Sequence, residues 1–276
     1  MAKRIIVALV VVAFLQCLFV LCLVSALQIQ VPRAMPFGAT GASPVINAAG
    51  SKVSLQTLLY PSESAARNAI GQGGTYGAYI PGSGSDVLLT SSQKSFFAYT
   101  EILPLFEYSA KQAHRVVKPE DVKPLPKTDR IGAVVGLLLL PTMVGGLLAA
   151  VLLFKATGAA AQRWRAVTLV GYAVAGAFIT DLVAGPWIGA YSNSHFWPLL
   201  PCFILVTAAV ALFAAGMQAV LKSIGAVLVV IAVIIVGGSS SGSSGPALLP
   251  VYWQNIGAWL PPRYIAELYQ NTLGAF

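Results

Sequence analysis

Catalysis or metal binding needs titratable or nucleophilic side chains at spacings that let them meet, and this chain offers few. Its two histidines, His114 and His195, are far apart and have no cysteine or second histidine beside them. Metal-ligand spacing is therefore absent. His114 beside Arg115 reads as a helix cap or surface residue. His195, next to Phe196 and Trp197, reads as an exposed turn residue in an interfacial aromatic belt. Cys17, Cys22 and Cys202 all fall in apolar stretches and read as small packing residues. Glu101 and Glu107 flank Pro104 and read as solvated carboxylates. The glycine-rich stretch Gly71-Gln-Gly-Gly-Thr-Tyr-Gly77 lacks a following Gly-Lys-Ser/Thr, so it is a turn segment and not a phosphate-cradling Walker A loop. No HExxH and no serine, histidine and aspartate set is present. Neither a catalytic residue nor a cofactor site is expected, and an enzyme is the weakest reading.

Two places remain. Asp181 is the one acidic residue inside an apolar block. At the centre of a membrane helix it would cost about 2.5–3.5 kcal/mol, which makes function the default hypothesis. The competing reading is interfacial: Gly185-Pro186 follows within about one turn and would end the helix near water. The second place is the C-terminal stretch 247–276, rich in aromatics and interrupted by prolines, with Arg263 and Glu267 four apart. Asp181, Pro250, Trp253, Trp259, Pro261, Pro262, Arg263 and Glu267 are the candidate transport or gating residues.

The elements that must hold these residues are mostly membrane spans. The chain is 57% hydrophobic and 9% charged, and four apolar blocks run through residues 131–154, 167–190, 198–221 and 223–236. A bilayer core of about 30 Å needs roughly 20 apolar residues of helix. Three blocks reach that length, and the last does so if it runs on into 237–240. Residues 5–27 form another such run after Lys3 and Arg4, too long for the 7–15-residue apolar core of a signal peptide. An uncleaved anchor is expected there. Within these blocks, Gln218 and Thr180 are expected to hydrogen-bond across helices.

Residues 28–130 are the one stretch able to fold in water, and they read as a compact α+β domain. Strands are expected over 52–60, 75–80 and 86–90, the last two around a turn at 81–84. Helices are expected over 62–70 and over 91–114, with Pro104 as a kink or break. Residues 118–130, with three prolines and seven charged residues, read as a stiff linker back into the membrane.

Charge sets the expected orientation. Lys3 and Arg4, then Lys155, Arg163 and Arg165, then Lys222 lie at alternate loops, whereas the opposite short loop 191–197 carries no charged residue. The positive-inside rule then puts the N-terminus in the cytoplasm and residues 28–130 outside. The net charge of +8 does not argue for nucleic acid, because no basic stripe is interleaved with aromatics.

The expected fold is a membrane all-α bundle of five spans plus a C-terminal re-entrant or interfacial segment, carrying a small α+β extracytoplasmic domain. The units are an anchor (1–27), the exterior domain with its linker (28–130) and a membrane domain (131–276). This order, with Ala65-Ala-Arg-Asn-Ala-Ile70, Tyr76-Gly-Ala-Tyr79, Asp121-Val-Lys-Pro-Leu-Pro126, Ser244-Gly-Pro-Ala-Leu-Leu-Pro250 and Trp259-Leu-Pro-Pro262, resembles ABC-2-type permeases, and within them the YhgE/Pip (phage infection protein-like) branch. The resemblance implies a plasma-membrane exporter subunit served by a separate ATP-binding subunit. The branch usually ends in a sixth span, absent before Phe276, so the chain is truncated or departs from that pattern. The alternative is a non-transporting envelope protein whose exterior domain binds a partner, scaffold or phage. The partners expected are the bilayer, the ATP-binding subunit and a second copy of the chain; nucleic acid is not among them.

Overall fold

The computed structural model describes residues 2–157 and 162–274. The side chains of Lys3, Arg4 and Arg163 lie outside what is described, as does Gly158. Helix α1 (Ala2–Leu27) leads into a domain built on a five-stranded sheet, followed by a block of long apolar helices.

The sheet contains β1 (Met35–Ala39), β2 (Leu55–Leu59), β3 (Gly77–Ile80), β4 (Asp86–Thr90) and β5 (Val117–Asp121), in the order β2-β1-β3-β4-β5. Only β3 and β4 pair antiparallel, joined by the expected turn; the other neighbours are parallel. Alternation along each strand sorts side chains to two faces. Met35, Phe37, Tyr79 and Leu88 pack beneath α2 (Pro44–Gly50) and α4 (Phe96–Gln112), with Phe106 stacked on Phe37 at 4.8 Å. Ala78 and Leu89 meet Ala66 and Ile70 of α3 (Glu63–Gly71) on the other face. The result is a three-layer α/β/α unit. Ser43, Ser62 and Ser95 each cap a helix with the side-chain oxygen, which fixes where α2, α3 and α4 begin.

Two local expectations change, and a third is met in an unexpected form. Helix α4 runs through Pro104 without a break, because Pro104 sits on the exposed face, where the carbonyl it leaves unpaired can reach water. Residues 117–121 are a strand and not linker: β5 pairs in register along all of β4. His114 does cap α4, in an unusual way for its residue type. With φ at 52° it is left-handed, its N–H bonds to Lys111 O at 3.1 Å, and the next N–H, of Arg115, bonds to Ala110 O at 2.9 Å. That turn aims Arg115 back at the sheet, where its guanidinium and the hydroxyl of Tyr79 both donate to the buried Asp86.

Asp129 starts the helical block. Its carboxylate accepts from the N–H groups of Ala133 (2.9 Å) and Val134 (3.1 Å), the free donors at the head of α5 (Val134–Thr157). Helix α6 (Gln162–Leu182) continues as a wide π-type turn over Val183–Trp187, so Gly185-Pro186 does not end it. Pro186 has no N–H to give, and the i→i+5 bond from Ile188 N to Val183 O (2.9 Å) lets the chain pass it. Next come α7 (Phe196–Leu221) and α8 (Ser223–Ser239), the latter π-wound over Val230–Val236. Small residues set two close approaches: a Cβ on Gly146 would meet Thr207 O at 2.7 Å, and one on Gly225 would meet Met217 O at 2.2 Å. The first lets α5 lie against α7; the second closes the α7–α8 hairpin at Lys222.

Among the described residues, four helices are long and apolar enough to cross a bilayer: Leu9–Leu27, Val134–Thr157, Trp164–Trp187 and Asn193–Leu221. Large apolar side chains stand exposed along them, such as Leu137, Leu152, Val167, Ile179 and Leu205. Such a surface suits lipid and not water. This is a membrane-embedded, multi-pass protein with a small mixed-sheet domain. Helix α8, the fifth expected span, is shorter.

The chain ends in two short helices, α9 (Val251–Gly257) and α10 (Pro261–Leu273). Pro261 and Pro262 do not break a helix here but begin one, at the position where a missing N–H costs nothing.

Candidate functional site

Helix α10 has two faces. Pro262, Ala266, Tyr269 and Leu273 are buried, the last three against α5 and α7, while Arg263, Glu267, Gln270 and Asn271 line a cavity of about 780 Å³. These polar positions recur at helical spacing and form one stripe. The opposite wall comes from the sheet domain: the end of α3 and the turn after it (Gly71 to Gly73), Tyr76, the segment entering α4 with Gln93 and Lys94, and Lys123 after β5. Gln254 of α9 closes one side. The volume falls in the range of about 300–1,000 Å³ typical of small-molecule sites.

Some hydrogen bonds join the two walls and others brace each wall from within. Gln93 Nε2 donates to Leu273 O and Lys123 Nζ to Gly274 O, both at 3.0 Å. Gln270 Nε2 donates to Ser243 O at 3.1 Å, and the Tyr76 hydroxyl accepts from Ala247 N at 3.4 Å. Lys94 donates to Gly73 O and lies 4.8 Å from the centre of the Tyr76 ring. Burial pushes the Lys94 ammonium below its usual pKa and pushes the Tyr76 hydroxyl up to about 12. Arg263 reaches Glu267 at 3.4 Å and donates to Gln254 O at 3.2 Å.

Two of the eight residues marked by sequence therefore line this site, Arg263 and Glu267. Trp253 is a structural anchor: it is buried against α1, with Nε1 donating to Ser25 Oγ at 3.1 Å. Trp259 is 88% exposed, as a belt residue would be. Pro250 precedes α9, and Pro261 and Pro262 shape the start of α10.

Asp181 is elsewhere, fully buried within the helical block just before the wide turn at Val183–Trp187. Tyr191 donates to its Oδ1 at 2.5 Å, and Oδ2 has no partner among the described residues. His195 is also buried and not exposed, 6.5 Å from the Tyr191 ring centre. Gln218 is buried, but its amide nitrogen makes no cross-helix bond among the described residues. Lys94, Lys123, Gln93, Gln254, Gln270 and Asn271 were not singled out by sequence. The polar stripe on α10 was a readable signal; Lys94 and Lys123 are lone lysines that only tertiary structure brings to the site.

No protein-family model, no curated protein and no solved structure matches the chain.

Proposed function

We propose that this is a cell-membrane protein that binds a polar solute between its extracytoplasmic sheet domain and its C-terminal helices. The observation that carries the reading is the cavity itself, walled by residues between 34 and 123 on one side and between 246 and 274 on the other. Below it the helical block is filled by Phe203, Met143 and Tyr269, which suits a binding station better than an open channel. In this reading the N-terminus is cytoplasmic, because Lys155, Arg165 and Lys222 all belong to helix ends far from the sheet domain. Helix α8 is a fifth crossing of about 25 Å, short enough to need local bilayer thinning. Helices α9 and α10 form a re-entrant element, since neither approaches the length of a span.

The second reading is a permease subunit of ABC-2 type, with the cavity as its outer station and a separate ATPase supplying the energy. What favours it is Asp181, whose carboxylate lies inside the helical block with one oxygen that has no partner among the described residues.

Native mass spectrometry of the full chain, extracted from its own membranes, tests the binding claim. A bound solute should be present and should be lost in Asn271→Trp, which fills the cavity. An empty wild type, or a solute retained in the variant, would refute it. Co-purification of an ATPase in the same preparation would move the reading to the permease.

A further inference from the structure

The cavity is charged unevenly. Lys94, Lys123 and Arg263 line it against one carboxylate, Glu267. Arg263 and Glu267 face each other at 3.4 Å and Glu267 also acts on Lys94 at longer range, so among the described residues the lining keeps an excess of positive charge on its lysines. Among the described residues neither lysine has a carboxylate within 4.0 Å. Both donate to carbonyl oxygens instead, Lys94 to Gly73 and Lys123 to Gly274. Carbonyl dipoles solvate an ammonium but do not neutralise it. Lys94 is also partly buried, and removing a charge from water without a counter-ion is costly. The rest of the polar lining is neutral and able to donate, chiefly the side-chain amides of Gln72, Gln93, Gln254, Gln270 and Asn271 with the hydroxyls of Tyr76 and Ser91.

Resting on the binding role proposed for this cavity, we infer that its ligand carries a phosphate group, held between Lys94 and Lys123 with Arg263 as a third donor. A phosphate monoester suits this lining better than a carboxylate. It brings up to two negative charges and three strong acceptor oxygens, which several separate donors can share. Two sources offer that chemistry. One is a soluble phosphate ester. The other is a lipid headgroup, favoured by the exposed Tyr252, Trp259 and Tyr264 on the same C-terminal segment, since such rings settle at headgroup level.

The test uses the full chain, purified in detergent, with inorganic phosphate titrated against chloride at equal ionic strength. In parallel, thermal unfolding is followed in nanodiscs of phosphatidylcholine with and without phosphatidic acid. Saturable binding of phosphate, stabilisation by phosphatidic acid, or both is expected; the second alone identifies the lipid as the source. Lys94→Gln and Lys123→Gln should each weaken binding about tenfold or more, and Lys94→Arg should restore most of it. Glu267→Gln, which removes the repelling charge and frees Arg263, should strengthen it. The inference falls if neither phosphate nor phosphatidic acid does more than its control, or if both lysine variants bind as wild type does. A neutral solute found by native mass spectrometry and lost in Asn271→Trp would keep the binding role and discard the phosphate.

Discussion

The hydroxyl of Tyr269, in the short C-terminal helix α10, donates to Thr142 Oγ1 in α5 at 3.1 Å, with both residues buried. Tyr269 also lies edge-on to Phe203 of α7 at 5.2 Å. The contact ties α10 to two long helices about two turns below their heads. It is what makes α10 a fixed wall of the cavity and not a loose surface helix. Tyr269→Phe should therefore cost about 1 kcal/mol, one buried hydrogen bond. Tyr269→Ala should cost roughly 3–5 kcal/mol, because it opens a cavity. Thermal unfolding in detergent separates the two; equal, negligible shifts would mean that α10 is not docked there.

His114 occupies a left-handed position that glycine adopts at no steric cost. His114→Gly should leave the fold intact and stabilise it by about 0.5–1 kcal/mol. A destabilised variant would show that the imidazole itself is needed.

Asp86 gives the sheet domain its acid sensitivity. Beside the Arg115 guanidinium, and accepting also from Tyr79 and the Gly82 N–H, its carboxyl titrates at about 2. An unfolded aspartate titrates near 3.9. Because the folded value is the lower one, the stabilisation is complete above about pH 4 and is lost as pH falls towards 2. Asp86→Asn should cost about 2 kcal/mol at neutral pH. The gap between wild type and variant should then close between pH 4 and 2. A gap that stays constant through that window would remove the ion pair from the account.

How much of this was legible in the sequence follows from what local patterns can carry. The long apolar runs announced the spans, and Ser62 with its following helix, and the turn between β3 and β4, stood where expected. Strand β5 was missed because Lys118, Pro119, Glu120 and Asp121 make poor strand composition, and only the pairing with β4 supports them. β1, with Pro36 and Gly38, hid for the same reason. At the site, Arg263 and Glu267 were found from their i,i+4 spacing. Lys94 and Lys123 were not, since their meeting with α10 spans more than half the chain.

Asp181 separates structure from function. Asp181→Asn keeps an acceptor for the Tyr191 hydroxyl while removing a carboxylate whose second oxygen has no partner among the described residues. Stability should be unchanged or higher, by up to about 2 kcal/mol, and membrane insertion should be normal. If the permease reading is right, export is lost all the same. A variant that fails to insert would make Asp181 a folding residue.

The central claim is that two segments about 200 residues apart in the chain share one cavity on the extracytoplasmic side. Gly73 and Asn271 mark where they meet: a Cβ on Gly73 would lie 3.9 Å from Asn271 Oδ1. Cysteines at the neighbouring Gln72 and at Asn271, treated in intact cells with a short membrane-impermeant bifunctional thiol reagent, test this directly. A linked pair of peptides, formed without breaking the cells, is expected by mass spectrometry. No link, or a link only after permeabilisation, would contradict the cavity or the side of the membrane on which it opens.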